Sequence, residues 1–208
     1  MIPLSLKLKK ELHRNIAAAQ DQIVAEMYSV FNNAVMHGGT AIWRCYQGNR
    51  FSEDIDVYLQ KDETKINMLF SKLEKRGFVV GKKCILENSL YSELVQNRIS
   101  VRFEALFKRA NGILKEYETA DGNMITVYTL SPEEFIAEKV DTYLKRLKIR
   151  DLYDIFFMLR YTSREKVKEE LEKLLKGYKS PIDEKELKAL IIEGLVPSPA
   201  KMLEYLGR

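Results

Sequence analysis

Residues 37–56 read His37-Gly38-Gly39-Thr40-Ala41-Ile42-Trp43-Arg44-Cys45-Tyr46-Gln47-Gly48-Asn49-Arg50-Phe51-Ser52-Glu53-Asp54-Ile55-Asp56. A turn of small residues is followed, within one short helix and a loop, by two aspartates one residue apart. A β-strand alternates its side chains, so Asp54 and Asp56 point to one face. Two hard carboxylates a few ångströms apart suit a Mg²⁺ ion that also grips phosphate. Gly38 and Gly39 offer bare backbone N–H groups and Thr40 a hydroxyl, a combination that a polyphosphate can occupy. The stretch points to an enzyme that handles a nucleoside triphosphate (NTP).

The surrounding sequence sets this motif in an α/β frame. Leu12, Ile16, Ala19, Ile23, Met27 and Val30 recur at three- and four-residue steps, the stripe of a long amphipathic helix that begins near Leu8. Ala34-Val35-Met36 is a short apolar strand ending at the glycines, Thr40 to Tyr46 starts a helix, and Gln47-Gly48-Asn49 is a loop. Asp54 to Leu59 reads as a strand with Ile55, Val57 and Leu59 inward. Asp62 to Arg76 reads as a helix closed by Gly77. A β-rich run follows over 78–86, 99–107, 113–119 and 124–130, with Asp121-Gly122 as a hairpin turn and 90–97 open between strand and loop. Ser131, Pro132 and Glu134 spell a helix start with a capping box. The pattern stays helical from there on, punctuated by Pro181, Pro197 and Pro199. The expected division is an α/β domain over 1–130 and a helical domain over 131–208.

The composition suits a soluble globular chain: 208 residues, 46% hydrophobic and 31% charged, with net charge +4. No apolar run reaches the ~18 residues of a membrane helix, and the N-terminal ten residues lack the apolar core of a signal peptide. The expected location is the cytoplasm, with no membrane partner. Cys45 and Cys84 form no metal-ligand or redox spacing and read as reduced, partly buried thiols.

Gly-Gly-Thr followed by Arg50-x-Ser52-x-Asp54-Ile55-Asp56 resembles the first motif of the DNA polymerase β-like nucleotidyltransferases, and within them the abortive-infection toxin branch of AbiEii type. A second match lies downstream: Glu138-Lys139, then Arg146-Leu147-Lys148-Ile149-Arg150-Asp151-Leu152-Tyr153-Asp154, similar to that branch's Lys … Arg-x-x-x-Arg-Asp-Leu-Tyr-Asp signature. The resemblance spans roughly residues 30–160. Where the branch often has Pro before Arg-Asp, this chain has Ile149, so one helix or two can run through 139–160.

The resemblance implies a nucleotidyltransferase-type mixed β-sheet with flanking helices, followed by a C-terminal helical domain. It implies Mg²⁺ at Asp54 and Asp56, and NTP contacts from Gly38, Gly39, Thr40, Arg50, Ser52 and Lys139. Arg50 could bind phosphate or brace the loop. Glu104, which shares a strand face with Ser100 and Arg102, is the candidate third acid; the competing reading is a surface arrangement of Arg102 with Glu104. Lys139 and Asp151 are the candidates contributed by the helical domain. On one continuous helix Lys139, Arg146 and Arg150 would fall within about 40° of one another, and Arg150 with Asp154 could instead form a structural ion pair. The implied reaction moves a nucleoside monophosphate from an NTP to an acceptor hydroxyl, on tRNA or a protein, in a toxin with a cognate antitoxin. A housekeeping enzyme acting on a small molecule, and a catalytically silent nucleotide-binding module, share the same residues.

Overall fold

The structure, a computed structural model, describes residues 3–207. Met1, Ile2 and Arg208, which belong to the N-terminal stretch and the helical run read above, lie outside the described residues. The chain forms two compact units. One holds the residues up to Gln47 together with Phe51–Thr129. The other holds Gly48–Arg50 together with the residues from Leu130 on.

The first unit opens with α1 (Leu4–Lys7) and α2 (Glu11–Val30). The stripe at Leu8 breaks because Leu8 adopts an extended backbone between these helices, so the long helix begins at Glu11. After α2 come β1 (Val35–His37), α3 (Gly38–Cys45), β2 (Ile55–Leu59), α4 (Glu63–Lys75), β3 (Val79–Ile85), β4 (Ser89–Gln96), β5 (Ile99–Phe107), β6 (Ile113–Glu118) and β7 (Met124–Thr129). The segment open between strand and loop is β4, which pairs along its length with β5. All seven strands join one mixed sheet in the order β3-β4-β5-β2-β1-β7-β6. β1 runs antiparallel to β2, and β2 parallel to β5.

Side-chain alternation decides what the sheet buries. Val101, Phe103 and Ala105 of β5, and Ile55, Val57 and Leu59 of β2, are buried with Ile23 and Met27 of α2 and Ile66 and Leu69 of α4. Their in-between neighbours Arg102, Glu104 and Asp56 keep partial exposure. α4 is capped by Asp62, which accepts from the Lys65 backbone N–H, and it ends before Gly77 at φ +89°.

The second unit is helical: α5 (Pro132–Arg146), α6 (Ile149–Met158), α7 (Lys168–Gly177), α8 (Leu187–Leu190) and α9 (Pro199–Gly207). α5 starts with the complete Ser131–Glu134 capping box. Two helices run through 139–160, because Leu147 turns into the left-handed region at φ 53° and ends α5. The Asp183 carboxylate accepts from the Ile149 N–H at 2.7 Å and so caps the start of α6.

Candidate functional site

In the sheet unit the site is built where β1 delivers the chain into α3 and β2 begins beside it. His37 pairs with Asp56 in the β1–β2 register, and Asp56 pairs with Glu104 in the parallel β2–β5 register. Asp54 sits one residue before β2. Gly38 takes φ +71°, and a Cβ built on it would overlap the Asp56 carboxylate. The first glycine is therefore required twice, by its backbone conformation and by the acid lying over it. Gly38 and Gly39 form the first turn of α3, whose leading N–H groups have no partner within the helix.

Thr40 is fully buried. Its hydroxyl donates to the Asp54 carbonyl at 2.5 Å, which ties the start of α3 to the aspartate loop. Gln20 of α2 is also fully buried, and its amide donates to the Ser52 carbonyl at 3.0 Å and to the Thr40 hydroxyl at 3.4 Å. Sequence reasoning missed Gln20, although a signal existed. It lies four residues after Ile16 and three before Ile23, so a polar amide interrupts the apolar stripe of α2. α3 is held further by the buried Arg44, which pairs with Asp21. Asp21 in turn accepts from the Tyr117 hydroxyl at 2.9 Å and the Ala120 N–H at 2.7 Å.

The carboxylates form an electrostatically strained group. Partial burial, then the negative charges of Asp56 and Asp54, push Glu104 above the ordinary carboxylate range, against the pull of Arg102 and His37. Arg102 answers part of this charge. It donates to Asp54 through Nε at 2.7 Å and Nη2 at 2.5 Å, so its main partner is Asp54 and not the Glu104 of the surface arrangement considered above. Among the described residues no three His, Cys, Asp or Glu side chains are gathered tightly enough to hold a metal unaided. Mg²⁺ needs no such cage, since it binds through one or two carboxylates plus phosphate oxygens and water. The donor set is all oxygen, and the crowding of negative charge that raises Glu104 fits such an ion.

The downstream motif builds an ion network inside the helical unit. Arg50, carried there with Gly48 and Asn49, donates to Asp154 through Nε and Nη2, both at 2.6 Å, and both side chains are buried. Lys139 Nζ lies 2.8 Å from Asp154 and 3.5 Å from Asp151. Arg146 donates to the fully buried Asp151 at 2.7 and 2.8 Å. Burial alone would raise the Asp154 carboxyl, but Arg50 and Lys139 reverse that and hold it below the usual range. Asp154 is thus partnered by Arg50 and Lys139 where the sequence offered Arg150. The helix break at Leu147 removes the single-helix alignment that placed Lys139, Arg146 and Arg150 together. Arg50 braces the structure here, one of its two expected roles.

Cys45 is buried and Cys84 half-buried, and both are free thiols. Among the described residues no helix is long and apolar enough to cross a membrane.

Comparison with known proteins agrees with this architecture. A crystal structure of JHP933 from Helicobacter pylori is similar at TM-score 0.65 and 19% identity, over 95% of this chain and 90% of that one. A candidate nucleotidyltransferase from H. pylori is similar at TM-score 0.61 and 21% identity, over 95% and 92%. At these identities the two structures speak for the fold alone. No protein of curated function matches the chain. The family described as "Nucleotidyl transferase AbiEii toxin, Type IV TA system" matches residues 24–201, a span that holds the glycine turn, the aspartate pair and the downstream Lys and Arg-Asp motifs. The chain belongs to this AbiEii family and is a nucleotidyltransferase.

Proposed function

We propose that the sheet unit transfers a nucleoside monophosphate from an NTP to an acceptor hydroxyl, on RNA or a protein side chain, as the toxin of a type IV toxin–antitoxin pair. The acceptor oxygen bonds to the α-phosphorus while the bond from that phosphorus to the bridging oxygen of the β-phosphate breaks. Pyrophosphate leaves, and the hydroxyl proton passes to Glu104. Asp54 and Asp56 would hold Mg²⁺, which when bound offsets the charge of the triphosphate and of the departing pyrophosphate. The N–H groups of Gly38 and Gly39, at the positive end of α3, bind phosphate oxygens, and Ser52 adds a hydroxyl. Thr40 acts from beneath, by fixing the Asp54 backbone.

The observation that carries this reading is the register of Asp56 with Glu104 beside Asp54, with Gly38 lying directly under the Asp56 carboxylate. Such an array binds a metal–triphosphate on one side and leaves an acid whose raised affinity for protons suits it to accept one. The toxin would act in the cytoplasm, where NTPs and its acceptor are found, and an antitoxin encoded nearby would restrain it.

The test is to incubate the protein with each α-labelled NTP and total RNA or cell extract, then follow the label. Wild type should label a macromolecule, and Asp54→Ala with Asp56→Ala should lower the rate by at least ~10³-fold while the fold persists. Labelling at the wild-type rate by that variant would end the proposal. Growth arrest on expression of wild type, absent with the variant, tests the toxin assignment.

A further inference from the structure

A cavity of about 290 Å³ lies within the sheet unit, lined by residues that the reaction above does not use. Lys108 and Arg109 supply two cations, Asn33, Gln60 and Asn111 supply three side-chain amides, and Val35, Tyr58 and Tyr128 make the wall. Its place in the sheet is set by register. Val35 pairs with Tyr58 and with Tyr128, one two-residue step from the His37–Asp56 pair. Asp56 and Tyr58 therefore share a face of β2, and the cavity opens on the face that carries the carboxylates, about 6.6 Å farther along the strand. The parallel strands β2 and β5 run side by side from the Asp56–Glu104 pair to the Tyr58–Leu106 pair, and their chain continuations supply Gln60 and Lys108.

From this arrangement the geometry points to a binding site for the acceptor. The cavity receives the last internucleotide phosphate and adjoining base of a single-stranded RNA 3′ end, whose terminal hydroxyl then reaches Glu104. This deepens the transfer reaction proposed above and rests on it. Three features favour a nucleic-acid strand over a peptide. Two adjacent cations, Lys108 and Arg109, both exposed, match a phosphodiester. Three amides can donate and accept in the plane of a base edge. The offset along β2 is within the reach of a nucleotide unit. Of the two wall tyrosines, Tyr58 offers no stacking platform. Tyr58 is buried under His37, whose ring lies parallel at 3.9 Å, and under the Lys108 ammonium at 3.8 Å from its ring centre. Recognition should accordingly rest on charge and base edges, and should depend steeply on salt.

The experiment compares wild type with the double variant Lys108→Gln, Arg109→Gln, which keeps most of both aliphatic stems. The first probe is a fluorescein-labelled single-stranded RNA 12-mer with a free 3′ hydroxyl, titrated by anisotropy at several KCl concentrations. The second is each Mg–NTP, titrated by calorimetry. The variant should bind the RNA roughly 10- to 100-fold more weakly and show a salt slope smaller by about 1–2, at unchanged NTP affinity and a similar melting temperature. The Asp54→Ala, Asp56→Ala protein should still bind the RNA.

Wild-type RNA affinity and salt slope in the Lys108/Arg109 variant would overturn the site. An equal loss of NTP affinity would assign the cavity to the nucleotide and overturn it too. A wild-type protein that binds no RNA yet labels a protein acceptor sinks this inference and leaves the transfer reaction standing. RNA binding that needs Lys108 and Arg109, in a protein that transfers nothing, supports the site and sinks the reaction.

Discussion

Arg102 holds Asp54 with two parallel hydrogen bonds, and it does so from β5, the same strand that presents Glu104 to Asp56. The guanidinium supplies positive charge to Asp54. On the reaction proposed above, a cation arriving at Asp54 would have to displace it. Because the pair is half exposed, its contribution is small, on the order of 0.2–1 kcal/mol. Arg102→Met should therefore raise nucleotide-free Mg²⁺ or Mn²⁺ affinity by about 1.5- to 5-fold, measured by calorimetry. Unchanged or weaker metal binding would show that Arg102 is no counter-ion.

Gly38→Ala attacks the site through its backbone. Alanine at φ +71° costs about 1–2 kcal/mol, and its Cβ pushes the Asp56 carboxylate aside. A displacement near 1 Å in a reacting group costs on the order of 10²-fold in rate. The expected result is a fall of about 10²-fold in nucleotidyl transfer with only a modest loss of stability to urea. Activity within twofold of wild type would mean that Asp56 need not sit over Gly38.

Asp154→Asn removes the shared partner of Arg50 and Lys139 and leaves two cations buried without it. Breaking a buried pair this way costs about 3–5 kcal/mol, which urea denaturation should report. The pH dependence follows from the sign of the shift. The Asp154 carboxyl is held below its unfolded value, so its contribution is present above the ordinary carboxylate range and is lost as pH falls through the lower folded value. Wild type should lose stability toward acid more steeply than Asp154→Asn. A variant as stable as wild type at pH 7 contradicts this account.

Glu104 has the opposite sign. Its carboxyl is raised by burial and by Asp56 and Asp54, so ionising it costs the folded state as pH climbs from the unfolded value through the folded one. In the absence of metal, Glu104→Gln should melt higher than wild type at pH 7 and lose that advantage near pH 4. The same variant should be slow in transfer, since the amide cannot take a proton. A lower melting temperature at pH 7 would show that Glu104 is structural.

The reach of sequence reasoning follows from what each pattern encodes. The sheet unit was legible at β5 because Val101, Phe103 and Ala105 alternate with Ser100, Arg102 and Glu104, a period that only a half-buried strand satisfies. The Ser131–Glu134 capping box was legible because its partners are three residues apart. Partners distant in sequence leave no such trace. Nothing local announces that Arg50 meets Asp154 across 104 positions, or that Gln20 reaches Ser52 across 32. The helix break at Leu147 was hidden for another reason, since no Gly or Pro marks a left-handed leucine.

The assignment of Gly48–Arg50 to the helical unit bears on how this protein can be divided. The chain enters that unit for three residues, leaves it for 51–129, and returns at Leu130. A fragment beginning at Leu130 would contain every helix from α5 to α9 and still lack Arg50, the bidentate partner of Asp154. Cutting the gene at the apparent boundary therefore yields a helical piece whose buried Asp154 lacks its arginine partner. A helical half exchanged for another keeps this pairing only where the chain it joins supplies an arginine at position 50.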